Sequence, residues 1–343
     1  MLIKMDATTV GARLGLDPSC RDWLDQLEVL GPPMQGVPLP SGAAATHALR
    51  QVGVEEQDLG AIVGALPSAA HEPELWWLLE RSYHGVLLDI GRWDAPPRWC
   101  LSLPSSLGTV GRCFWIYVFL AALPAIRSWH QTRGIPDAIS SDTLADLGRH
   151  IRLYRLRQGC TGFDTQHWIG LHFRAELFAL GRLQFNAYRL RTGIAGPLFW
   201  YGEAAIDKLG PGFRPGDAAL GVHIPDAGPM TPEACAASFQ AAKPFFARYF
   251  PDHDPRIATC TSWLMDDQLL EYLEPTSNVV RFQQRFELVP GARDDDEQTL
   301  RFVFRRVPRD LAEVVPSTRL EHAIVDHLRA GRHWRLRTGW LTL

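Results

Sequence analysis

The chain has 343 residues, 35 Lys and Arg against 38 Asp and Glu, and a formal net charge of -3. At roughly one domain per ~150 residues, this length suggests about two domains. A hydrophobic fraction of 46% with 21% charged residues excludes disordered, collagen-like and coiled-coil chains, and the near-neutral balance lacks the basic excess of a dedicated nucleic-acid binder. The 29 Gly and 25 Pro predict many loops, and the 12 Trp point either to a bulky core or to aromatic pockets.

Residues 1–10 contain no apolar signal core. The apolar run at residues 113–126 is shorter than the ~20 residues of a membrane helix, and Pro124 breaks it, so it reads as a buried core helix. The six Cys (20, 100, 113, 160, 235, 260) form no CxxC pair and read as reduced thiols. These features lead us to expect a cytoplasmic protein with neither a membrane nor a nucleic-acid partner.

Helical spacing dominates the first part of the chain. Trp23, Leu24, Leu27 and Leu30 share a helix face that ends at Gly31-Pro32-Pro33. Residues 36–45 are a polar and small-residue stretch, and residues 54–66 read as a helix. Another helix starts near Glu72-Pro73-Glu74 and carries Trp76, Trp77, Leu78 and Leu79. Residues 93–97 break the chain, residues 110–129 form the apolar helix, and Ser141-Asp142-Thr143 opens one running toward Arg157. A helix is expected at 168–180.

After residue 180 the period shifts to two. Leu183, Phe185 and Ala187 alternate with Gln184 and Asn186 as in a half-buried strand. Further strands are expected at 198–202, at 217–224 after the turn Gly210-Pro211-Gly212, and at 257–265. Helices are expected at 231–250, at 266–273 and after Ser277-Asn278. A closing hairpin would pair 286–289 with 300–307 around the acidic turn 293–297, and a last helix would cover 319–330. The predicted class is α+β, with a helical domain at residues 1–160 and a mixed sheet flanked by helices at residues 161–343.

The segment from Leu220 to Glu233 reads as strand, glycine-containing loop and helix start. Thr231 suits the N-cap and Pro232 the first helical position. Backbone N–H groups at such a start can bind a phosphate, and Gly228 would admit a close backbone approach. Any strand-to-helix turn also has this form, and Glu233 already places a carboxylate at the helix dipole.

The order of these later elements resembles that of the Gcn5-related N-acetyltransferase (GNAT) fold. More closely, the chain resembles bacterial proteins with a helical N-acyltransferase N-terminal domain and a GNAT-like C-terminal domain. The resemblance rests on Leu180-Gly181-Arg182-Leu183-Gln184-Phe185, His223-Ile224-Pro225, Ser238-Phe239, Phe245-Phe246, Phe250-Pro251, Cys260-Thr261-Ser262-Trp263-Leu264, Ser277-Asn278 and Arg281-Phe282-Gln283-Gln284-Arg285-Phe286. It implies N-acyl transfer from acyl-CoA or acetyl-CoA to a small-molecule or peptide amine. The pantetheine arm would lie where two strands splay apart.

On that resemblance the loop with Gly228, Met230 and Thr231 would hold the pyrophosphate, and Asn278 would either bind the pantetheine amide or cap its helix. The loop departs from the family pattern: it has one Gly, and Pro225 and Pro229 lack N–H groups. A thioester on an acyl carrier protein is therefore kept as a second donor, and a non-catalytic scaffold as a second function. His223 is the expected general base, or else a structural His at a strand end. Cys260 with His223 could form an acyl-enzyme, or Cys260 is a buried thiol. Ser262 would donate to the oxyanion or thiolate, or satisfy the backbone. Gln184 and Asn186 would line the acceptor site, or face solvent. Trp263 reads as core.

The arginines at 149, 152, 155 and 157 would meet CoA phosphates or an acidic carrier, or form a solvated face. Those at 301, 305, 306 and 309 are expected to pair with residues 294–297. No metal is expected: His167 with His172 and His322 with His327 are each five residues apart, Asp252-His253-Asp254 lies in a loop, and residues 294–297 read as a solvated tip rather than a metal loop.

Overall fold

Arg21–Leu30 folds as a helix that buries Trp23, Leu24 and Leu27 and stops at Gly31, whose φ of 70° a side-chain-bearing residue rarely adopts. A computed structural model describes residues 5–93, 103–190, 209, 212–308 and 310–343. The expected breaker at 94–97, the expected strand at 198–202, and positions 100, 210, 211 and 309 lie outside these residues. The chain divides into two compact units, Met1–Phe178 and Ala179–Leu343.

The first unit is helical: α1 (Ala7–Leu14), α2 (Arg21–Leu30), α3 (Gly42–Gln51), α4 (Glu56–Gly64), α5 (Pro73–Asp89), α6 (Gly108–Arg112), α7 (Phe114–Thr132), α8 (Asp137–Leu144), α9 (Asp146–Gln158) and α10 (Gln166–Phe173). Its centre is α7, whose residues from Phe114 to Leu123 are each at most 3% exposed. By length and composition Ser105–Thr132 could cross a membrane, yet here its side chains form the unit's own core. Phe119 packs on Phe173 with ring centroids 4.6 Å apart and meets Phe163 edge-on. That packing draws α10 into the first unit, so the compact units divide after Phe178 rather than at residue 160. The helix runs through Pro124, which is exposed, and the buried residues on either side hold its course.

The small-residue stretch at 36–45 leads into α3, an Ala-rich helix that buries Ala45 and Leu49. Two readings of this unit are corrected. The helix expected to open at 141 is two helices, α8 and α9. The helix expected at 168–180 ends at Phe173, and Leu177–Leu180 is a strand.

The second unit is built on a sheet of β1 (Leu177–Leu180), β2 (Leu183–Arg189), β3 (Ala218–His223), β4 (Ile257–Ser262), β5 (Glu287–Leu288) and β7 (Arg335–Thr342), in the order β1-β2-β3-β4-β7-β5, with β6 (Arg293–Asp294) pairing the start of β7. β3 and β4 are parallel, and α11 (Pro232–Tyr249) makes the crossover between them. α12 (Asn278–Gln283), α13 (Asp296–Phe304) and α14 (Arg319–Arg329) follow, the last started by a capping box between Thr318 and Glu321.

The register sorts the sheet into two faces, because paired residues share a face and successive residues alternate. One carries Phe185, Val222, Cys260 and Gly339. It lies under helix α11: Phe239 of that helix meets Phe185 and also Phe286, which follows α12. Gly339 cannot carry a Cβ, which would lie 2.6 Å from Met265 and 2.8 Å from Phe286. The other face carries Gln184, Asn186, Tyr188, Gly221, His223, Thr259, Thr261, Thr338 and Trp340.

The expected hairpin between 286–289 and 300–307 does not form. Asp295 caps Gln298 and starts helix α13 instead, and β5 pairs with β7. The helix expected at 266–273 is a short 3-10 turn, Asp267–Glu271. Strand β4 stops at Ser262, and Trp263 is a core residue in the 3-10 turn Trp263–Met265.

Candidate active site

The parallel ladder between β3 and β4 covers only Ala219↔Ile257, Leu220↔Ala258 and Gly221↔Thr259. Both strands run on, to His223 and Ser262, so they part at their C-terminal ends. In open sheets that combine strands and helices, ligands bind beyond such strand ends. His223 stands at this opening, half-buried, on the face that carries the polar side chains.

That face changes character along its length. At one end Tyr188, Ala219, Ile257, Phe213 and Trp340 form an apolar cluster. At the other, Asn186 accepts a hydrogen bond of 2.6 Å from Nε2 of His223, and Thr261 and Thr338 share one of 2.8 Å. Between the two ends, the Tyr188 hydroxyl and Thr259 are 2.6 Å apart. Gln184 and Asn186 are 1% and 0% exposed, so the solvent-facing reading of these residues fails. The strand is buried on both faces, which its alternating sequence did not indicate. Gly221 completes the arrangement: a Cβ there would collide with Asn186 Oδ1 and lie 3.3 Å from His223 Nε2.

The loop after β3 is held by a residue that the sequence reading missed. Arg182 donates through Nε to the Pro229 carbonyl (3.1 Å), through Nη1 to that of Pro225 (3.1 Å) and through Nη2 to that of Gly228 (2.9 Å). In a trans peptide the N–H points opposite to the C=O, so this clamp turns the N–H groups of Asp226 and Met230 away from the guanidinium. The backbone of Arg182 is itself fixed, because its N–H donates to Ser238 Oγ (2.9 Å) on α11. In the sequence Arg182 stood only among the residues that carry the family resemblance, with no role attached.

Gly228 adopts φ 82° in this loop, Met230 is buried, and Thr231 is the N-cap that accepts from the Ala234 N–H (3.2 Å). Pro232 has no N–H, and the Cys235 N–H goes to the Thr231 carbonyl. In the first turn this leaves the Glu233 N–H, with no partner among the described residues. Around the loop, Arg305 pairs with Asp226 (3.4 Å), not with residues 294–297, while Arg301 does pair with Glu297 (2.9 Å). Arg285 donates to the Pro232 carbonyl (2.9 Å).

The structure separates the remaining residues. Cys260 lies on the helix-covered face, opposite His223, so the two cannot form a nucleophile–base pair. Burial pushes its thiol up to about 12, which keeps it protonated at neutral pH. Ser262 Oγ caps the turn after β4 by accepting from the Leu264 N–H (3.1 Å). Ser277, not Asn278, caps α12, accepting from Val280 N–H (3.3 Å), and Asn278 is the first helical residue. Arg149, Arg155 and Arg157 pair with Asp146, with Asp58 and Glu55, and with Asp164 inside the first unit, which removes them as a solvated face. Among the described residues no group of three or more His, Cys, Asp or Glu is placed to hold a metal ion.

Comparison with known proteins agrees with this architecture. Residues 43–175 match the N-acyltransferase N-terminal domain and residues 177–341 the GNAT-like C-terminal domain. A crystal structure of an acyltransferase in complex with decanoyl-CoA is 39% identical, with a TM-score of 0.89 over 99% of this chain and 100% of that one. The chain belongs to this acyltransferase family. A second structure of such an acyltransferase, in complex with decanoyl-CoA and teicoplanin, is 39% identical with a TM-score of 0.88, and a third, a mutant in complex with octanoyl-CoA, is 39% identical with a TM-score of 0.89; each covers 99% of this chain and 100% of the other. No curated protein matches. In this acyltransferase, the parted strands, the clamped loop and His223 all belong to the GNAT-like unit.

Proposed function

We propose that the chain transfers a medium-length acyl group from acyl-CoA to an amine on a small-molecule or peptide acceptor, by direct attack of the amine on the thioester. The observation that carries this reading is the opening between β3 and β4 with His223 on its edge. Related acyltransferases whose structures contain octanoyl-CoA, decanoyl-CoA and teicoplanin supply the donor and acceptor classes.

The clamped loop would meet the pyrophosphate through its outward N–H groups and that of Glu233. Opposite it, the parted strands would receive the pantetheine arm. His223 takes the proton that the amine must lose, the new C–N bond forms and the C–S bond breaks. The sulfur leaves as a thiolate that takes a proton from solvent, and the His223 imidazolium returns its proton to solvent. Positioning supplies much of the rate, and the base adds ~10²–10⁴. A carrier-protein thioester bears the same pantetheine arm and is the second donor to test. Cys20, Cys113, Cys160, Cys235 and Cys260 are free thiols, which we read as a cytoplasmic setting.

Thermal shift with acetyl-, octanoyl- and decanoyl-CoA tests the binding half. The medium-chain thioesters should raise Tm, and thiol release should then depend on an added amine. Stabilisation by none of the CoA thioesters would remove acyl-CoA as donor.

A further inference from the structure

Asn186 is the most deeply buried polar side chain on the reactive face, at 0% exposure. Its Oδ1 lies 2.6 Å from His223 Nε2, while its Nδ2 is buried without a partner among the described residues. A buried donor left unpaired is unfavourable; the oxygen makes the side chain's one hydrogen bond among the described residues. An amide oxygen can only accept, so the imidazole must carry its hydrogen on Nε2. Neutral His223 then has its lone pair on Nδ1.

Gly221 is part of the same device. It is the β3 residue paired with Asn186 and lies two residues before His223, and any Cβ on it would collide with Oδ1. The contact therefore needs three residues together: the Asn, the His and a glycine.

We propose that Asn186 is a positioning residue, which fixes the tautomer of His223 by holding its Nε2–H and so leaves Nδ1 as the basic nitrogen of the neutral ring. This rests on His223 acting as the base. Among the described residues, the same face of the sheet carries Gln184 and Tyr188 on β2, Thr259 and Thr261 on β4, Thr338 on β7, and Glu287 on β5 opposite Trp340 at the far edge.

The test combines nitrogen NMR of the His223 ring with steady-state kinetics, using decanoyl-CoA and an amine acceptor. Wild-type His223 should be the Nε2–H tautomer above its titration range. Asn186→Ala should lose roughly tenfold to a hundredfold in kcat, a part of the ~10²–10⁴ that a general base supplies, with the KM for decanoyl-CoA within about twofold. Asn186→Asp keeps the accepting oxygen and adds a charge, so it should recover much of kcat and move the acid limb of kcat/KM upward by roughly one pH unit or more. Gly221→Ala should reproduce the Asn186→Ala profile. An Nδ1–H tautomer in the wild type overturns the proposal and needs no variant that might fail to fold; so does an Asn186→Ala enzyme with wild-type kcat and pH profile. If His223→Ala keeps full activity, the base assignment fails instead, while the tautomer still reports on the Asn186 contact.

Discussion

Cys260 and His223 occupy neighbouring parallel strands with their side chains on opposite faces of the sheet. The ladder aligns Gly221 with Thr259, so His223 shares its face with Thr261, and Cys260 shares the other with Val222. Covalent catalysis through Cys260 is therefore closed to this fold. Cys260→Ala should keep kcat within about twofold, with a stability loss of roughly 1 kcal/mol from the small cavity. Intact mass after incubation with decanoyl-CoA should show no adduct at this residue. An acyl adduct lost in Cys260→Ala would contradict the assignment.

Arg182 shapes the loop through three carbonyls. Arg182→Met keeps much of the side chain's bulk and removes the clamp. The expected result is a rise of about tenfold in KM for acyl-CoA, near 1.4 kcal/mol, with kcat little changed. Isothermal titration with CoA checks it. An unchanged affinity would mean that the loop keeps its form without the guanidinium.

In the helical unit Gly148 on α9 lies against the Gly53 turn, donating from its N–H to the Val52 carbonyl at 3.0 Å. A Cβ on Gly148 would collide with the Gly53 carbonyl, which is backbone and cannot swing aside. Gly148→Ala should destabilise the protein by roughly 1–3 kcal/mol, read as a fall in denaturant midpoint. Gly60, whose Cβ would meet nothing within 4 Å, should accept Ala without loss.

Stability should fall in mild acid. Burial drives His130 down to about 4, and His150 and His172 to about 3, despite Asp146 beside the latter two. The unfolded chain takes up a proton on each below its ordinary value of ~6.5, while the folded chain does not. Stability from these groups is thus complete above about 6.5 and lost as pH falls toward those values, by at most about 1.4 kcal/mol per residue per pH unit. Glu176 opposes this: burial raises it to about 7, so its contribution is greatest in acid and fades as pH rises from its ordinary range to 7. Three histidines against one carboxyl leave the balance with the histidines. Tm should be lower at pH 5 than at pH 7.5; a higher Tm at pH 5 would contradict this.

Much of the fold was legible. Thr231-Pro232 marked the start of α11, and Gly31 the end of α2, because caps are local signals. What failed needed distant partners. β7 went unread because its interior holds Gly339, whose role is to let Phe286 and Met265 approach, and because polar residues fall on both of its faces. The run at 300–307 alternated well enough to suggest a strand, yet the Asp295 cap makes most of it helical. At the site, His223 and Asn186 were separate candidates. Only the pairing of β2 with β3 shows that they are one unit, and only the folded loop shows what Arg182 does.

The central claim is that His223 removes the proton of an attacking amine at the edge of a CoA-binding opening. The most direct measurement compares wild type with His223→Ala for decanoyl-CoA binding by calorimetry and for acceptor-dependent thiol release. The account predicts an affinity within about twofold and a kcat lower by ~10²–10⁴, with the loss greatest where the acceptor amine is protonated. A His223→Ala enzyme that releases thiol at the wild-type rate would contradict it.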